Sequence, residues 1–136
     1  MRRFGGVLIA GLVACAVAPA VPVLAHHTVA GVYDPAKRAT LSGVVSDVEW
    51  KQPHMVVHMD VKGDDGRVVM WEVEAQAPLI MRSHGLLQDN IKPGMTISST
   101  VCLARDGSHR GYAQSFTVPD HGTVISLGCN SAHSTP

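Results

Sequence analysis

From His54 to Ala75 apolar and polar residues alternate with a period of two, interrupted by the turn Gly63-Asp64-Asp65-Gly66. That is the period of a β-strand, whose successive side chains point to opposite faces. Met55, Val57, Met59 and Val61 share one face of the first run, and His54, Val56, His58 and Asp60 share the other. Asp64-Asp65-Gly66 suits a three-residue hairpin loop with Gly66 in the left-handed region. This loop sets Val57 opposite Val73, Met59 opposite Trp71 and Val61 opposite Val69. One face is then wholly apolar, and a slip by one residue would turn all of it towards solvent. A lone hairpin is marginal in water, so this chain has to bury that face with further strands.

The flanking segments supply them. Thr40 to Lys51 reads as a strand, with Gly43 as a bend or bulge, and His26 to Ala39 is an aperiodic arm containing Asp34-Pro35. Ala77 to Leu87 is the one segment with helical spacing, through Leu79, Ile80, His84 and Leu87, and Gly85 sits near its end. Lys92-Pro93-Gly94 turns the chain into Met95 to Ala104, where Ile97, Ser99, Val101 and Leu103 share a face. Asp106-Gly107-Ser108 turns it again, into Gly111 to Val118 and Thr123 to Leu127. Three strands, a helix and two or more strands are the order of an oligonucleotide/oligosaccharide-binding (OB) barrel. The expected fold is therefore mainly β. It is a five- to six-stranded OB-like barrel over 40–128, with one short helix between strands 3 and 4. The arm 26–39 precedes it and a tail 129–136 follows.

Residues 1–25 read as an address. Met1-Arg2-Arg3 is basic, an apolar run follows from Phe4 to Ala18, and Val23-Leu24-Ala25 places small residues at the −3 and −1 positions. The run is short and broken by Pro19 and Pro22, whereas a membrane span needs about 20 apolar residues. Leu12-Val13-Ala14-Cys15 also reads as a lipobox, but the apolar stretch continues well past Cys15 and favours cleavage after Ala25. The expected location is periplasmic or secreted. Without residues 1–25 the 11 basic residues lose Arg2 and Arg3, leaving 9 against 11 acidic and a net charge of −2. No basic excess remains to neutralise phosphates, so nucleic acid is not an expected partner. Cys102 and Cys129 are then the only cysteines, and an even count in an oxidising compartment points to a disulfide between them.

Several short motifs stand in a fixed order: His26-His27-Thr28, Tyr33-Asp34, Leu41-Ser42-Gly43, Glu49-Trp50 with Pro53-His54, Trp71, Lys92-Pro93-Gly94 and Asp106-Gly107-Ser108. In this order the chain resembles a family of short exported bacterial proteins of unknown function, over nearly all of residues 26–122. The resemblance implies a barrel of the type just described and export from a Gram-negative cell, and it implies no activity. Gln52 stands where that family tends to carry Asn, and Leu86 where a Trp usually follows the helix glycine.

Eight histidines are the unusual feature of the composition. Cleavage after Ala25 would make His26 the first residue, and its α-amine and imidazole together form a chelate suited to copper(II). His27, His54 or His58 would complete the site. His54 and His58 lie four residues apart on one strand face, roughly 13 Å at about 3.3 Å per residue, so they do not share one ion. In the hairpin register His58 faces Glu72, a carboxylate able to orient it. His84, His109, His121 and His133 read as solvated, and Met55, Met59, Trp50 and Trp71 as core. Catalytic motifs are missing: there is no G-x-S-x-G elbow, H-E-x-x-H helix or phosphate loop, and Glu72 with Glu74 is an ordinary strand pattern. The expected function is a non-catalytic periplasmic binding module for an unidentified ligand or protein. The alternative is a copper-handling protein built on His26.

Overall fold

The computed structural model describes residues 29–130. A single turn, α1 (Val29–Val32), leads into β1 (Tyr33–Glu49), β2 (Val56–Lys62) and β3 (Val68–Glu74). A short helix α2 (Pro78–Ser83) and a 3-10 turn (Gln88–Asn90) follow, then β4 (Thr96–Ala104), β5 (Arg110–Val118) and β6 (Gly122–Ile125), and a 3-10 turn at Gly128–Asn130. The strands run β3-β2-β1-β4-β5-β6, and a parallel pairing of β3 with β5 closes the first five into a ring. On one edge β5 meets β4; on the other it meets β3 through Arg110–Tyr112 and β6 through Ser115–Val118. The expected small β barrel with a helix between strands 3 and 4 is therefore present. Among the described residues no helix is long and apolar enough to cross a membrane.

The hairpin adopts the expected register: Val57 opposes Val73, Met59 opposes Trp71 and Val61 opposes Val69, around a left-handed Gly66. Met55, Val57, Met59 and Val73 are fully buried, with Val45, Ile97, Val101 and Phe116 from the other strands. Met55 and Met59 are thus core residues. A second cluster lies at one end, where Tyr33, Cys102, Ala104, Tyr112 and Cys129 pack together under Val29 and Val32 of α1.

Three expectations need correction. Residues 33–39, read as part of a loose arm, belong to β1: Tyr33 and Asp34 pair with Ala104 and Leu103, and Ala39 pairs with Val101. A register shift between Asp34 and Arg38 absorbs Pro35, which cannot donate to the ladder. Gly43 is not the bulge of β1, which lies between Val45 and Asp47. Gly43 is instead the point where β1 is squeezed against β2, since a Cβ there would stand 2.5 Å from the Asp60 carbonyl oxygen. The helix stops at Ser83 because Gly85 takes a positive φ of 93°. Its expected apolar stripe faces outward, with Leu79 70% and Leu87 53% exposed, while Pro78, Met81 and Leu86 fill the core. The expected disulfide is present: Cys129 is bonded to Cys102 of β4, and its Cα lies 6.4 Å from that of Cys102. Only residues 131–136 of the expected tail lie outside the described residues.

Because the clash at Gly43 is with backbone, Gly43→Ala is expected to destabilise the protein by about 1–3 kcal/mol. Ser42→Ala, on the neighbouring outer position, should change stability by less than about 0.5 kcal/mol. Urea midpoints of the two variants check this.

Candidate functional site

The parallel seam between β3 and β5 organises both polar regions of the barrel. Its pairs are Glu72 with Arg110, Val73 with Gly111 and Glu74 with Tyr112. The Glu72 N–H donates to the His109 carbonyl at 3.0 Å. That bond brings the preceding residue, Trp71, beside His109, whose ring meets the indole edge-on with centroids 5.2 Å apart. The two rings form one wall of a cleft of about 430 Å³ between the β2–β3 hairpin and the β4–β5 connection, completed by Val61, Gly63, Asp64, Asp65 and Val69. Trp71 is half-buried, packed on the core from one side. The Arg67 N–H at 3.0 Å and its guanidinium at 2.7 Å both donate to Asp65, holding that carboxyl below its ordinary value. Asp64 carries no ion-pair partner among the described residues.

At the other end of the seam Glu74 is bracketed by two donors. The Tyr33 hydroxyl donates to Oε2 at 2.7 Å, and the His54 Nδ1–H donates to Oε1. Tyr112 lies between them, its ring 5.5 Å from that of Tyr33 and 5.8 Å from that of His54. Burial, and then the hydrogen bond to Glu74, pushes the Tyr33 hydroxyl far above its ordinary value of 10.0. Burial with the nearby Glu74 charge does the same to Tyr112, whose hydroxyl has no hydrogen-bond partner among the described residues. His54 keeps 34% of its side chain exposed, and Nδ1 is the nitrogen engaged by Glu74.

His58 is opposite Glu72 in the ladder, as expected, but its Nε2–H donates to Glu49 of β1 at 2.9 Å. Lys51 also binds Glu49, and those two donors, Lys51 first, hold its carboxyl below the ordinary value. His54, just ahead of β2, and His58 within it therefore serve different carboxylates. His26, His27 and His133 lie outside the described residues. Among the described residues no three or more His, Cys, Asp or Glu are grouped as a metal site. His84 and His121, read as solvated, each bond a backbone carbonyl across the β6 edge, of Ile125 and Gly85 respectively. Tyr33 and Glu49 stood in the sequence only as motif residues with no role, Tyr112 was not picked out, and His109 was read as solvated. The spacing of Glu72 and Glu74 on one strand face was the signal for Glu74.

These features define a β barrel with an open cleft at one end of a closing seam and a histidine–carboxylate–tyrosine cluster at the other. By sequence the chain belongs to a family of unknown function, DUF6152, whose family model matches residues 12–114. No curated protein and no solved structure matches it.

The two tyrosines fix a pH dependence. Both hydroxyls hold their protons more tightly in the folded chain than in the unfolded one, which titrates near 10.0. Their contribution is therefore complete below that pH and is lost as pH rises above it. The melting temperature should fall steeply beyond about pH 10, each tyrosine adding a slope of up to about 1.4 kcal/mol per pH unit. A Tyr33→Phe/Tyr112→Phe double variant should show a flatter alkaline limb, as measured by thermal scans from about pH 8 to about pH 11.

Proposed function

We propose that this protein is an exported, non-catalytic binding module whose ligand enters the cleft beside Trp71. The observation that carries this is the cleft itself: about 430 Å³, walled by an indole and an imidazole, with carboxylates at the hairpin turn. Small-molecule sites occupy about 300–1,000 Å³ and combine apolar walls with a few placed polar groups. The position suits an OB-like barrel, in which the strand 2–3 face and the loop between strands 4 and 5 form the usual binding surface. Export is supported by the basic start and apolar run of residues 1–25.

A second role, copper handling, is favoured by one observation. Ligating histidines commonly donate their second ring nitrogen to a carboxylate, and Glu74 already holds His54 in this way. His58 is held likewise, by Glu49, but keeps only 18% of its side chain exposed against 34% for His54, so His54 is the better barrel partner for His26. His26 lies three residues ahead of Val29, a tether of about 10 Å, and Val29 packs on the cluster containing Tyr112.

Two measurements separate these roles. With isotope-labelled mature protein, a screen of small polar compounds should shift the Trp71 indole signal and the amides of Gly63, Asp64, Asp65 and His109. Shifts confined to other surfaces would contradict the cleft. Copper(II) titrated into protein beginning at His26 should saturate at one equivalent in the second role, and His54→Ala or one residue added before His26 should abolish it. Binding indifferent to both changes would rule that role out.

A further inference from the structure

We infer that the Trp71 cleft selects an organic cation, a positive charge carried on methyl or methylene groups in the manner of an alkylammonium. This rests on the cleft being the binding site and names the chemistry of its ligand. Tryptophan offers a cation the strongest aromatic face, worth about 0.5–2 kcal/mol depending on desolvation. Here the indole packs against the core, meets the His109 ring edge-on and lines the cleft. Val61 and Val69 give the cleft apolar surface, and no lysine or arginine lines it.

The two carboxylates differ. Asp65 is paired with Arg67, whose side chain is 85% exposed and does not line the cleft. Asp64 lines the same cleft and has no ion-pair partner among the described residues. An entering group thus meets an indole, two valines and one uncompensated negative charge. An anion would be repelled. A neutral polyol could stack on the indole, but it would cover Asp64 without supplying a counter-charge, which costs desolvation energy. A cation with an apolar skirt satisfies all three elements together.

The test compares choline with 3,3-dimethyl-1-butanol, which has the same shape without the charge. The chain has two tryptophans, so Trp50→Phe leaves Trp71 as the only indole emitter. The Trp71 indole N–H resonance of the unaltered protein gives a second readout if that variant is unstable. Choline should shift Trp71 saturably, and the neutral isostere should bind roughly tenfold more weakly. Asp64→Asn should reduce choline affinity by roughly three- to tenfold, leave the isostere unchanged, and remove most of the salt dependence. Equal binding of choline and the isostere, or an Asp64→Asn variant that binds choline normally, would overturn the inference. So would a response to glucose or sulfate in place of choline, although the cleft would then still be a binding site. If none of the four probes moves Trp71, the alkylammonium assignment fails, and the broader compound screen alone decides whether the cleft binds anything.

Discussion

A row of parallel pairs, Glu72–Arg110, Val73–Gly111 and Glu74–Tyr112, turns a curved sheet into a closed barrel. A parallel pairing cannot be made by a tight turn; its strands must be joined by a long connection, here everything from α2 to β4. Closure also needs space. A Cβ on Gly111 would stand 2.8 Å from Val101, so only glycine lets β5 lie this close to β4 while it reaches across to β3. Along Glu72–Glu74 and Arg110–Tyr112, edge backbone groups that would otherwise invite pairing with other chains are consumed in the ring.

Both chemical features of the molecule hang on that seam. At its start, the Glu72 N–H to His109 carbonyl bond makes neighbours of an aromatic from β3 and an imidazole from the β4–β5 connection. At its end, Glu74 gathers Tyr33 from β1 and His54 from the approach to β2. The first arrangement leaves an open concavity. The second is packed, with Tyr33 and Tyr112 buried and the disulfide between Cys102 and Cys129 in the same cluster. The packed end anchors the strands, and the open end is free to receive a ligand.

Local periodicity made part of this legible in the sequence. The β2–β3 register could be read because a period of two and a glycine turn leave one pairing that buries Met55, Val57, Met59 and Val73 together. The barrel followed from the order of the elements, three strands, a helix and then further strands. The helix was overextended because Leu79, Ile80 and Leu87 match a helical stripe, yet the left-handed Gly85 ends the helix before that stripe can turn inward. Strand β1 was begun too late because Asp34-Pro35 signals a break, and a bulge can absorb it only when β4 lies alongside. The partners of His54 and His58 were hidden for a related reason. Ladder register predicts the residue opposite, whereas Glu49 and Glu74 reach these rings diagonally or from an adjoining strand. His109 acquires its place only through the seam, which joins residues far apart in the chain.

Native-state hydrogen exchange of the Glu72 amide tests the role of the seam most directly. If closure between β3 and β5 underlies the whole structure, this amide should exchange only with global unfolding, its opening energy falling with denaturant in parallel with that of the β2–β3 core amides. Exchange through a low-energy local opening, while those core amides stay protected, would show that the barrel persists without its seam and contradict this account.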